Sequence, residues 1–373
     1  MPQNKIHMVD LYSQYLRIKP KIDNAIQNVI FNSSFVKGEI VQNFESDLAH
    51  YLNVKHVITC GNGTDALQIA MMALGLKKGD EVIVPSFTYV ATAEAIALLG
   101  LTPVLIDVNP NDFCIDIEQL EKQFTRRTKA IVPVHLFGQA ANMEAILNFA
   151  KQNDLFVIED TAQALGSKFT FSDGSQKSVG CMGDIGTTSF FPSKNLGCFG
   201  DGGALMTNDD MLAEKIRMIA NHGQKTQYFH DEVGVNSRLD GLQAAILIEK
   251  LKELDGYELR RNNVANFYDE HINNPLIIGP FRNRTSTHVF HQYTVKVLGE
   301  KRDTLRSYLR EYNIPTMVYY PLPLHKQKAY SHYTNQVFSV SEKLCEQVMS
   351  LPLHTEMTEE IMSFIAERVN KFS

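Results

Sequence analysis

HVITCGNGTDALQIAMMAL, residues 56–74, decides how the chain is read. Five residues rich in β-branched and apolar side chains run into Gly61-Asn62-Gly63-Thr64, and a helical pattern begins at once. A strand that turns into a helix through two glycines is the opening of a parallel strand–helix–strand unit. The same alternation continues outward. EVIVP (81–85) precedes the helical TAEAIALLG, VLIDV (104–108) follows, KAIVPVHLF (129–137) precedes NMEAILNFAKQN, and FVIED (156–160) comes next. Such strands have the composition of strands buried on both faces, which predicts an α/β fold with a mostly parallel sheet flanked by helices. Ligands of these sheets bind beyond the carboxyl ends of the strands, so the residues closing each run carry the functional interest.

The chain has 373 residues, 44% hydrophobic and 21% charged, which excludes disordered and collagen-like classes and leaves room for two domains. The expected division is a large domain over 1–254 and a smaller C-terminal α/β domain over 255–373. The second is read from HVFHQYTVKV (288–297) as a strand and KRDTLRSYLREYN (301–313) as a helix. Residues 238–270 read as one long helical connector, and 170–184 as a loop or hairpin. A net charge of −6 disfavours nucleic acid and anionic membranes as partners. No run approaches the ~18–20 apolar residues of a membrane span. MPQNKIHMVDLYSQYL lacks the apolar core of a signal peptide, so a cytoplasmic location is expected. The five cysteines include no C-x-x-C pair and read as reduced thiols.

Three pieces carry chemistry. In TCGNGTDALQ (59–68) a helix start places free N–H groups and a positive dipole end where an anion can sit, with Thr64 as a cap and hydroxyl donor. No P-loop is present, and Ala66 takes the third glycine position of a dinucleotide fingerprint, so a nicotinamide enzyme is poorly supported. FVIEDTAQALG (156–166) puts Glu159 and Asp160 at a strand end facing the ligand crevice, with Gln163 just beyond. DIGTTSFFPSKNLGCFGDGGAL (184–205) holds Lys194 behind Phe190, Phe191 and Pro192, with Ser189 upstream. An amine in apolar surroundings is easier to deprotonate and becomes nucleophilic. Each piece alone has an ordinary alternative: a plain βα turn, a helix-capping Asp, a solvated lysine. Together they match the needs of pyridoxal phosphate, namely an amine, a carboxylate for the ring nitrogen and a phosphate cradle. PSFTYVAT (85–92) adds Phe87 or Tyr89 to pack on the ring. His288 and His291 form only a bare H-x-x-H, and no metal is expected.

The sequence resembles the DegT/DnrJ/EryC1/StrS sugar aminotransferases, nearly end to end. The likeness runs through MVDL, GNGTDAL, PSFTYVATAEA, EDTAQALG, SFFPSKNLG, GVNSRLDGLQAAIL and YYPLPLH. It implies the aspartate-aminotransferase-like fold type I and pyridoxal 5′-phosphate. It also implies that Lys194 forms the Schiff base, that Asp160 pairs with the ring nitrogen and that Gln163 bonds the phenolic oxygen. Tyr89 takes the stacking position, where some relatives have Trp, a residue this chain lacks. Gly63, Thr64 and Ser189 hold the phosphate. Asn236 reaches the phosphate of a neighbouring subunit, so the resemblance implies a homodimer with shared sites. Arg238, Tyr319 and Tyr320 resemble substrate contacts; His325 lies in the same segment without an assigned role.

The implied reaction moves an amino group from L-glutamate to the keto group of a nucleotide-diphosphate sugar for surface polysaccharide. PSKNLGCFGDGG resembles the form found in enzymes acting at C3, nearest to those for UDP-2-acetamido-2-deoxy-3-oxo-glucuronate. The alternatives are a 4-keto sugar aminotransferase and a non-catalytic regulatory protein on the same fold. A dehydratase of this family would carry histidine in place of Lys194.

Overall fold

Seven strands form the central sheet, in the order His56–Cys60, Gly203–Thr207, Ile185–Ser189, Phe156–Asp160, Thr128–Ile131, Glu81–Pro85, Thr102–Ile106. Only Gly203–Thr207 runs against the rest; it pairs antiparallel with both neighbours, and every other pairing is parallel. The other strands therefore deliver their carboxyl ends to one edge. The chain that leaves that edge at Ser189 must return to it at Gly203, and the turn between them holds Lys194. The computed structural model describes residues 5–373; residues 1–4, part of the expected first domain, lie outside the described residues.

The strand pleat explains the uninterrupted apolar runs. Val82 and Val84 face one layer of helices, where Leu67, Ile69, Ile96 and Ile216 pack. Ile83, between them, faces the other layer with Met143 and Ile146. Burying each such side chain contributes roughly 1.5–3 kcal/mol. A second, antiparallel sheet joins Ile277–Ile278, Tyr293–Val297 and Val348–Leu351. Its cluster includes Tyr268, Tyr293, Leu305 and Ile365, and Ile6 from the other end of the chain packs into it.

Several elements differ from the sequence reading. The strand expected over 129–137 ends at Ile131, because Pro133 has no N–H for the ladder, and Leu136–Gly138 turns as a 3-10 helix. The strand expected over 104–108 is Thr102–Ile106. That expected over 288–297 begins only at Tyr293, since His288 and Val289 pair with Gln139 and Gly138 instead. The single helix expected over 238–270 is two, Gly241–Leu251 and Leu254–His271. Leu247, Leu251, Leu254 and Tyr257 keep helical spacing across the break, so the pattern hides it. The 170–184 stretch includes part of a hairpin, Lys168–Thr170 with Gln176–Ser178.

Glu159 does not face the crevice as expected. Neighbours on a strand point to opposite faces, and with Asp160 toward the ligand edge Glu159 turns into the interior, fully buried. Its oxygens accept from His135 Nε2 at 3.1 Å and from the N–H groups of Gly180, Met182 and Gly183 at 2.9, 2.6 and 2.7 Å. Ala141 N–H donates to His135 Nδ1, which leaves Nε2 as the donor. Burial pushes the Glu159 carboxyl up, but the bonds from His135, Gly183 and Gly180 outweigh it and hold the group below the usual range. The stabilisation is present at neutral pH and is lost as pH falls through that lowered value. Glu159→Ala would leave His135 and three N–H groups unpaired in the interior. It should lower stability by about 3–5 kcal/mol, read as a fall in the denaturant midpoint.

Candidate active site

A cavity of about 650 Å³ opens at the carboxyl edge of the sheet. Its wall contains Gly63, Thr64, Tyr89, Asp160, Gln163, Ser189, Lys194, Tyr319 and Tyr320, so most of the expected site residues meet in one place. Phe87 is not among them. It is 1% exposed and packs on Phe113 and Phe137 in the interior, which leaves Tyr89 as the aromatic candidate.

Lys194 lies in the turn between antiparallel strands, with its amine end withdrawn from solvent. Burial lowers its pKa to about 8, and the Asp160 carboxylate, acting in the opposite sense, only partly offsets this. Among the described residues its Nζ makes no salt bridge and no hydrogen bond. Asp160 is fixed by two bonds: Thr92 Oγ1 donates to Oδ2 at 3.0 Å and Ala162 N–H to Oδ1 at 3.1 Å. The sequence reading missed Thr92, although it lies in the quoted PSFTYVAT; a lone hydroxyl at a helix start carries no distinguishing signal.

The anion cradle is built by close approach. A Cβ on Gly63 would stand 2.8 Å from Ser189 Cβ, and one on Gly203 would stand 2.5 Å from the Asn62 backbone. Only glycine lets this helix start press onto the two strands. The cap of the helix is Asn62, not Thr64 as expected, and the helix begins at Gly63. Asn62 Oδ1 accepts from Asp65 N–H at 2.8 Å, while the N–H groups of Gly63 and Thr64 have no partner among the described residues. The Asp65 carboxylate is drawn aside by Ser237 Oγ at 2.6 Å.

The outer wall is aromatic. Tyr89, 57% exposed, faces Tyr320 with ring centres 6.1 Å apart. Gln163 Oε1 accepts from Phe137 N–H at 2.9 Å and its Nε2 donates to Tyr320 Oη at 3.0 Å, which leaves one amide hydrogen uncommitted. The Thr88 and Thr188 hydroxyls and His291 Nδ1, also in residues of this wall, are buried without a partner among the described residues. His288 Nδ1 accepts from Phe290 N–H at 3.0 Å, and no group of three or more potential metal ligands occurs among the described residues.

Asn236 and Arg238 are not in this cavity. Asn236 is exposed and pairs with Asn221, and Arg238 lines a second depression with Lys37 and Arg217. All five cysteines are buried and unpaired.

The model of the DegT/DnrJ/EryC1/StrS aminotransferase family matches residues 16–370. The chain belongs to that family. It is 46% identical over 349 residues to the UDP-2-acetamido-2-deoxy-3-oxo-D-glucuronate aminotransferase of Pseudomonas aeruginosa, covering 94% of this chain and 95% of that one. It is 45% identical over 372 residues, 98% of each chain, to a pleiotropic regulatory protein of Geobacillus stearothermophilus. Among solved structures, ntda of Bacillus subtilis with bound cofactor PMP matches with a TM-score of 0.90 at 32% identity, over 99% of this chain and 85% of that one. The fold is the expected aspartate-aminotransferase-like fold type I, the protein is an aminotransferase, and its cofactor is pyridoxal 5′-phosphate. The donor set fits that group: a desolvated amine, a fixed carboxylate, and a helix start with unpaired N–H groups beside a serine.

The lowered pKa of Lys194 has a measurable consequence. Labelling of the cofactor-free protein with an amine-directed reagent should rise with pH at Lys194 only up to about 8, then level off. Exposed lysines should continue to rise toward about 10.4. Peptide mass spectrometry reads the two behaviours apart, and a Lys194 profile that follows the exposed lysines would remove the burial argument.

Proposed function

We propose that the enzyme transfers the amino group of L-glutamate to the 3-keto group of a nucleotide-diphosphate sugar for surface-polysaccharide biosynthesis, in the cytoplasm. The observation that carries this reading is the meeting of Lys194, Asp160, Ser189 and the Gly63 helix start in one cavity. The 46% identity to an aminotransferase named for a UDP-linked 3-oxo sugar supports the substrate class. A regulatory name for a relative does not displace it, since every residue the chemistry needs is retained.

In this reading Gly63 and Thr64 N–H groups and the Ser189 hydroxyl hold the cofactor phosphate. Asp160, oriented by Thr92 and Ala162, keeps the ring nitrogen protonated, and Gln163 uses its free amide hydrogen toward the phenolic oxygen. Tyr89 packs on the ring face. When bound, pyridoxal 5′-phosphate supplies the electron sink that makes the donor's α-proton removable. Lys194 would hold the cofactor through its amine and would carry the proton as general base and acid. Tyr319 and Tyr320 receive the substrate.

Asn236 and Arg238 act, in the same reading, on the site of a second copy, with Asn236 at its phosphate and Arg238 at its sugar. Their absence from their own chain's cavity supports this, as do the exposed Tyr228, Phe229 and Val233 close to them in sequence, an apolar surface suited to an interface.

The protein with cofactor should be yellow and should bleach above 400 nm when L-glutamate is added, whereas Lys194→Ala should lose turnover by about 10²–10⁴ or more. Lys194→Ala and Arg238→Ala should each be inactive and should regain activity when mixed and refolded together. Activity of Lys194→Ala alone would contradict the chemistry, and failure of the mixture to recover would contradict the shared site.

A further inference from the structure

His325 sits in a Ser–His–Glu arrangement that no part of the reaction uses. Its Nδ1 is 2.7 Å from Ser86 Oγ and its Nε2 is 3.0 Å from Glu342 Oε1. Glu342 also receives Lys326 Nζ at 2.5 Å, and these bonds hold its carboxyl below the usual range. An ionised carboxylate only accepts, so Nε2 carries a hydrogen, and in the neutral imidazole Nδ1 then accepts from the serine hydroxyl. The order matches a hydrolase triad, but Ser86 is fully buried and its hydroxyl is committed to the ring. No substrate reaches it.

The bridge instead joins two walls of the active site. Ser86 follows the Glu81–Pro85 strand and opens the segment that carries Tyr89 and Thr92, the latter holding Asp160. His325 closes YYPLPLH, the segment that carries Tyr319 and Tyr320. Pro321 and Pro323 have no N–H, so this segment cannot be held by a regular backbone ladder. Tyr320 packs on Phe87 and Leu324 enters the core, but the segment's hydrogen bonds to the rest of the protein are few. Met317 just before it pairs with Ser350, Tyr320 bonds Gln163, and Leu324 N–H donates to Ser86 O at 2.9 Å beside the His325 bridge. Phe338 packs edge-on against the imidazole and keeps water from it.

We infer that His325 is a positioning residue, whose bridge between Ser86 and Glu342 sets the place of the Tyr319–Tyr320 wall relative to Asp160. The inference rests on the reading above in which that wall receives the substrate. His325→Phe removes both bonds and keeps a ring; Ser86→Ala removes one bond with little change of volume and serves if the first variant does not fold. In the protein loaded with pyridoxal phosphate, each should slow bleaching by L-glutamate about tenfold, the order expected for loss of one or two buried hydrogen bonds. Each should also speed hydrogen exchange in residues 317–326 while leaving 156–160 unchanged. If the histidine acts through Tyr320, combining either variant with Tyr320→Phe should slow the reaction no further than the slower single variant. Effects that multiply, or exchange that rises equally in both peptides, would overturn the positioning role. Unchanged kinetics in Tyr320→Phe alone would overturn the wall reading on which it rests.

Discussion

The site depends on a lysine amine that is taken out of water near a carboxylate without being paired to it. A direct salt bridge would keep Lys194 protonated and inert, and full exposure would do the same. Burial without a direct partner brings the amine to about 8, within reach of neutral pH. The sheet enforces this compromise. Because Gly203–Thr207 alone runs backward, the turn carrying Lys194 is pinned at both ends to the edge where Asp160 emerges.

The two carboxylates of Glu159-Asp160 show how a strand separates roles by position alone. Asp160 faces the cavity and is oriented by two bonds, while Glu159 faces inward and is saturated by His135 and three N–H groups. The buried member is structural: it ties residues 180–183, which lead into the Ile185–Ser189 strand, to the strand that presents Asp160. The carboxylate that faces the cavity is thus held steady by a neighbour that lies in the interior. The bridge at His325 does comparable work on the opposite wall.

Much of this was legible in the sequence. The strand–helix alternation and the ends of its runs located the cavity, because buried parallel strands are apolar without interruption and their carboxyl ends are where polar residues reappear. Asp160 and Gly63 stood out in that way, Lys194 through the apolar Phe190, Phe191 and Pro192 beside it, and Ser189 through the family resemblance. Helix phase was not a reliable guide at residues 252–253, where the apolar spacing continues through a turn. Nor did the pattern show that Asn62 rather than Thr64 caps the helix, since both residues suit the position and the choice follows from where the chain presses on Ser189. Thr92 and the Ser86–His325–Glu342 bridge lay beyond reach for another reason. Their meaning comes from partners 68, 239 and 17 residues away, and nothing local marks them.

The most direct measurement is reduction of the cofactor-loaded protein with borohydride, followed by peptide mapping. Lys250 provides an internal control, because it too is buried, with a pKa lowered to about 8, yet its Nζ is committed to the Gly197 carbonyl. The cofactor mass should appear on Lys194 alone. Cofactor attached to Lys250 or to a surface lysine, with Lys194 unmodified, would contradict that assignment.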